Sequence, residues 1–168
     1  KGFGTIATGT ISSGLVRTNQ NVEILPGNKK AKVRGLQTHL NPVEEVRVGD
    51  RAAINLQNIS LDEISRGSIL AECGCYRLVS DIGATLNVLD SSNFDIHQNQ
   101  RVRFHIGTNE VMARISLTND KILKAGERGP AMIKLEKPIV ASYKERFIIR
   151  LFSPVTTIGG GEIVDIDI

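Results

Sequence analysis

Short runs of valine, isoleucine, leucine and threonine, each cut off by glycine, asparagine, aspartate or proline, recur along the whole chain. Apolar and polar residues alternate within these runs. That period of two residues is the signature of half-buried strands, and almost nowhere does the 3.6-residue period of an amphipathic helix take over. The alternation predicts strands over Phe3 to Ile11, Asn21 to Leu25, Ala31 to Gln37, Arg51 to Leu56 and Ser68 to Ala71. After Cys75 the pattern restarts, with strands over Tyr76 to Leu89, Arg101 to Ile106, Glu110 to Leu117, Pro130 to Lys137, Arg146 to Phe152 and Gly159 to Ile166. After Asn41 and Pro42 the segment VEEVRVGDRAAINL, from Val43 to Leu56, is divided by a Val48-Gly49-Asp50 corner, and Asp90 to Asn99 reads as a polar loop. One helical turn is expected, where Ser60 and Glu63 have the spacing of a capping box before Arg66 and Gly67 stop it. Strands this short, punctuated this often, suit closed β architectures that leave few free edges. The chain therefore reads as all-β, two consecutive antiparallel β-barrels, one over residues 1–72 and one over residues 76–168.

Alternation also assigns faces. In the segment Ala31 to Gln37, Ala31, Val33 and Gly35 fall on one side and Lys32, Arg34 and Leu36 on the other, so basic side chains point outward. Arg101, Arg103 and His105 alternate with the inward set Val102, Phe104 and Ile106, while Arg114 lies opposite an inward set of Val111, Ala113, Ile115 and Leu117. Clustered cations on a rigid strand face are what phosphate contacts require, and a plain solvated face has the same composition. Net charge is only +3, divided as nine basic against seven acidic residues up to Glu72 and twelve against eleven after it. Neither half is a polycation, so only local clustering could make an RNA surface.

Catalytic chemistry finds little to build on. His39, His97 and His105 are scattered, and there is no nucleophile elbow, no His-Glu-x-x-His zinc motif and no phosphate-binding glycine loop. Glu44 and Glu45 are adjacent and so face opposite ways on a strand. Cys73 and Cys75 supply two thiols where a closed zinc site needs four ligands, and free thiols are the expected state. No apolar run approaches the roughly 20 residues of a membrane-spanning helix and no signal peptide opens the chain, which leaves the cytoplasm as the expected compartment. Lys1 is not an initiator, so the sequence is expected to be a piece of a longer protein.

The opening segment KGFGTIATGTISSG reads close to G-x-G-T-x-x-T-G and resembles the start of domain II in translational GTPases of the elongation factor Tu type. In its exact residues, Lys1, Gly2, Phe3, Gly4 and Thr5 followed by Thr8, Gly9 and Thr10, it is most similar to the selenocysteine-specific factors of the SelB family. The segment VEEVRVGDRAAINL resembles the part of domain II that receives the 3′ aminoacyl end of tRNA. The resemblance implies that Glu45 and Arg47 lie near the terminal adenosine and that Arg51 lies near the selenocysteine side chain. A selenol is largely a selenolate at neutral pH, and an always-charged guanidinium would favour it over serine. Read without the resemblance, Arg51 is a surface arginine paired with Asp50 or Glu45.

From Leu135 to Gly161, LEKPIVASYKERFIIRLFSPVTTIGGG resembles the end of domain III in the same family, although the loop from Phe152 to Thr157 departs from the elongation factor Tu pattern. The resemblance implies a T-stem backbone contact for Lys137, beside the residue-level backbone candidates Arg101, Arg103, His105 and Arg114. It further implies selenocysteinyl-tRNA, the ribosome and a GTPase domain of the same chain as partners. No cofactor is implied for the two barrels themselves; GTP and magnesium would belong to the GTPase domain. An acidic and a basic residue that complete the amino acid pocket in the family would precede Lys1. Another translational GTPase, of the elongation factor Tu or initiation factor two gamma type, and a barrel pair that makes only protein contacts are the competing readings.

Overall fold

The computed structural model describes residues 4–119 and 122–166. Lys1, Gly2 and Phe3, on which part of the opening motif and the start of the first expected strand rest, lie outside the described residues. The chain divides into two compact units, Lys1–Tyr76 and Arg77–Ile168. Both are built almost wholly of antiparallel strands, the all-β architecture expected from the alternation.

The first unit contains β1 (Thr5–Thr10), β2 (Leu15–Arg17), β3 (Asn21–Leu25), β4 (Lys29–Thr38), β5 (Asn41–Val43), β6 (Glu45–Arg47), β7 (Arg51–Gln57) and β8 (Ile69–Glu72). Two ladders enclose its core. A six-stranded sheet runs β1-β7-β4-β3-β8 with β5 added to β4, and β2 and β6 form a separate two-stranded ribbon. Val22, Ile24, Ala31, Val33, Leu36, Ala52, Ile54 and Leu56 come inward from the sheet, and Val46 from the ribbon joins the same cluster. Burying such aliphatic side chains contributes on the order of 1.5–3 kcal/mol each and is what holds two ladders against one another.

Leu36 corrects an expectation. Strict alternation puts it outside with Lys32 and Arg34, yet it is only 2% exposed. Val33 is opposite Leu56 and Gly35 is opposite Asn55, so Arg34 is an extra residue in a β-bulge. The inserted residue reverses the parity of everything after it, and Leu36 turns into the core opposite Ile54. The stretch before the Val48-Gly49-Asp50 corner is likewise divided, because β5 pairs with β4 while β6 pairs with β2. The expected helical turn is a short 3₁₀ segment, Leu61–Glu63. Its Glu63 carboxylate accepts from both the backbone N–H and the hydroxyl of Ser60, at 2.9 Å each. The expected capping box between Ser60 and Glu63 is present, and the Glu63 amide also donates to the Ser60 carbonyl at 3.1 Å, the shorter closure of a 3₁₀ turn.

The second unit contains β9 (Leu78–Val88), β10 (Ile96–His97), β11 (Gln100–Ile106), β12 (Asn109–Leu117), β13 (Ile122–Leu123), β14 (Arg128–Val140), β15 (Arg146–Leu151) and β16 (Thr157–Asp165). Six of these close into a barrel in the order β11-β12-β14-β9-β16-β15, with β15 returning to β11. The stretch expected as a polar loop contains β10, which pairs with β13. Ile82, Leu86, Phe104, Ile115, Ile133, Ile149, Ile158 and Ile163 fill the barrel with no exposed surface. Phe104 and Phe147 stack at its centre with ring centroids 4.7 Å apart. No helix among the described residues is long and apolar enough to cross a membrane.

Candidate functional site

In the first unit the turn from Arg47 to Asp50 joins the ribbon to the sheet. The Asp50 amide donates to the Arg47 carbonyl at 3.0 Å, and the Arg47 amide donates to the Asp50 carboxylate at 2.8 Å. Gly49 sits at φ +93°, the left-handed region that costs other residues strain. Val48 N–H donates to the Gly14 carbonyl and Gly49 N–H to the Ile11 carbonyl, which pins the turn to the β1–β2 connection.

On the ribbon, Glu45 accepts from Arg17 Nε at 2.7 Å and from Arg47 Nε at 2.6 Å. The two guanidiniums, Arg17 first and then Arg47, hold the Glu45 carboxyl below its ordinary range. Glu45 and Arg47, the two residues that the resemblance assigned to one site, are in contact, and Arg17 is a third member that the sequence did not point to. Arg17 lies opposite Glu45 only through the β2–β6 pairing, and nothing local in the sequence carries that information.

Arg51 opens β7 opposite Thr10 of β1 and is exposed. Neither ion pair that the bare sequence offered it is made. Glu45 is taken by Arg17 and Arg47, the Asp50 carboxylate serves the Arg47 amide, and Arg51 has no charged partner among the described residues. An unengaged guanidinium at the end of a strand, fixed beside a braced turn, is free to bind an anion.

The Glu45 shift gives a pH expectation. Its folded-state pKa is depressed, so the Arg17–Glu45–Arg47 cluster persists above the unfolded carboxylate range and is lost as pH falls through the lower folded value. In an NMR titration the Glu45 side-chain carboxyl carbon should keep its ionised shift to lower pH than those of exposed glutamates. A midpoint among the ordinary glutamates would disprove the cluster in solution.

In the second unit Arg101, Arg103 and His105 project from the outside of the barrel, as alternation expected. They are not bare cations. Arg101 donates two hydrogen bonds to Glu136, both 2.7 Å, and Arg103 pairs with Glu110. His105 Nδ1 stands 3.9 Å from the same Glu110. Both carboxyls are held below their usual range, Glu110 mainly by Arg103 and Glu136 mainly by Arg101. The guanidiniums of Arg101 and Arg103 also lie over the Phe152 ring, 5.5 and 5.3 Å from its centroid.

Barrel closure extends this face beyond the expected residues. Arg101, Arg114 and Lys134 are aligned across β11, β12 and β14, and Arg150 lies opposite Arg103 on β15. Arg114 donates to the Asn99 carbonyl at 3.4 Å. Lys134 and Arg150 were not legible as site residues because their neighbours come from distant strands. Lys137 is exposed within the irregular stretch of β14 between Lys134 and Ile139, where the register against β9 shifts. Cys73 and Cys75 are both exposed and unbridged, and no cluster of His, Cys, Asp and Glu suited to a metal occurs among the described residues.

Comparison with known proteins adds a second line of evidence. Residues 4–71 match the family elongation factor Tu domain 2, and residues 84–168 match the selenocysteine-specific elongation factor beta-barrel domain. The selenocysteine-specific elongation factor of Desulfomicrobium baculatum is 34% identical over 165 residues, covering 98% of this chain and 26% of that protein. That of Methanocaldococcus jannaschii is 31% identical over 182 residues, covering 98% of this chain and 39% of the relative. The chain thus spans well under half the length of the curated relatives it matches.

Proposed function

The chain belongs to the selenocysteine-specific elongation factor family, and from that membership we propose that its two β units hold the acceptor arm of selenocysteinyl-tRNA. A GTPase domain of the same protein, with GTP and magnesium, controls that hold and releases the tRNA on the ribosome at UGA codons in the cytoplasm. The β units do no chemistry of their own in this reading; they bind and discriminate.

The observation that carries the reading is the guanidinium of Arg51, without a charged partner among the described residues, beside a turn whose Arg47 and Asp50 are already engaged. A selenolate is larger and more weakly hydrated than a carboxylate, and a delocalised guanidinium suits such an anion. A seryl hydroxyl offers no charge to bind. Glu45 and Arg47, fixed to each other, take the terminal nucleotide, while Lys137 and the row of Arg101 and Arg114 meet backbone phosphates, with Arg103 and His105 beside them. Arg101 and Arg103 must exchange Glu136 and Glu110 for phosphate to do so, which makes Lys137 and Arg114 the easier contacts.

Titration of the chain with one tRNA body esterified with selenocysteine or with serine tests this. Arg51→Ala should weaken binding of the selenocysteinyl form about tenfold, roughly 1.4 kcal/mol, and leave the seryl form unchanged, because only the selenocysteine side chain carries a charge. Equal affinities before and after substitution, or equal losses for both ligands, would overturn the assignment of selenium discrimination to Arg51.

A further inference from the structure

The cations of β4 have no part in the site above. Lys30, Lys32 and Arg34 are exposed and make no ion pair or hydrogen bond through their side chains among the described residues. Lys29, the fourth cation of the strand, is held 3.2 Å from Glu63. The bulge matters here. By inserting Arg34 between Val33 and Gly35 it keeps both Val33 and Leu36 in the core and adds a third cation to the outer side of the strand. Bulges of this kind re-aim side chains at functional surfaces.

The strands on either side complete a surface. Lys32 is opposite Asn21 of β3 and Gln57 of β7, so an amide, an ammonium and an amide lie in one row across three adjacent strands. Lys30 is opposite Glu23, whose carboxylate accepts from the Gly74 amide at 3.1 Å. No large apolar side chain is exposed on β3, β4 or β7. Protein interfaces centre on buried aromatic and aliphatic side chains, whereas phosphate and sugar contacts use cations flanked by amides on a rigid base.

Arg51 and Gln57 bound β7, so this surface is about 20 Å from the Arg51 end at roughly 3.4 Å per residue. We infer that Lys30, Lys32 and Arg34, with Asn21 and Gln57, form a second RNA-binding surface that takes the phosphate backbone of an RNA duplex independently of the aminoacyl end. It does not rest on the Arg51 reading, since it is a separate part of the same sheet.

The test uses the whole chain and a generic 20-base-pair RNA duplex as probe. Replacing Lys30, Lys32 and Arg34 together by alanine should raise the duplex Kd about tenfold at 0.1 M salt. It should also make the slope of log K against log salt shallower by about 2, as fewer counterions are released. The ratio of affinities for selenocysteinyl- and seryl-tRNA should be unchanged, and circular dichroism should report the same fold. An unchanged duplex Kd and slope in the triple variant would overturn the inference, as would a loss confined to aminoacyl-tRNA or preferential binding of polyglutamate. Arg51→Ala, by contrast, should leave duplex binding untouched, so failure of either proposal is visible without the other.

Discussion

Gly161→Ala is expected to remove about 3 kcal/mol from the second unit, the cost of forcing a methyl group into a packed barrel wall. A Cβ on Gly161 would overlap the Thr85 carbonyl oxygen and come within 2.8 Å of Phe147 Cζ. Backbone of β9 cannot retreat, because Leu86 is paired with Gly161 in the closed ladder and is itself fully buried. Gly159 and Gly160 meet the carbonyls of Asn87 and Phe147 in the same way, so three consecutive glycines let β16 pass between β9 and β15. Gly9→Ala in β1 is the control. Nothing lies within 4 Å of the added carbon there, and the change should fall within about 0.5 kcal/mol. Urea unfolding followed by circular dichroism will read both, and the transition of the second unit should shift while that of the first stays. If Gly161→Ala moved neither transition, the close approach of β9 and β16 would be wrong.

Phe104→Ala should cost still more, about 4 kcal/mol, since it empties the centre of the same barrel. Phe104 is wholly buried and stacked on Phe147 at 29° between ring planes. Its neighbours on β11 are Arg103 and His105, which project outward, so the ring that fixes the core also fixes the strand presenting the basic face. Phe104→Leu keeps most of the apolar volume and should lose only about 1–2 kcal/mol. Paired measurements of stability and RNA binding on these two variants link core to surface: a destabilised but still folded Leu variant should bind as the parent does. Equal stability of the Ala variant and the parent would mean that the aromatic pair is not the keystone of the barrel.

The amino-acid sequence was enough for whatever depends on neighbours along the chain. A period of two residues separates inside from outside locally, so the faces of β11 and β12 and the inward Val102 and Phe104 could be read without coordinates. The opening glycine-threonine motif and the later segments likewise pointed to the family that residue 4–71 and 84–168 matches then supported. What the chain alone left open depends on which strands pair. Arg17 reaches Glu45 across 28 residues of sequence, Lys134 aligns with Arg114 through the barrel, and Leu36 is buried because β4 bulges against β7. Whether Arg51 was engaged or free was decided in the same way, by other residues claiming Glu45 and Asp50 first. Strand register is a long-range property, fixed by burial and hydrogen bonding between segments far apart in sequence, and one inserted residue inverts every face beyond it.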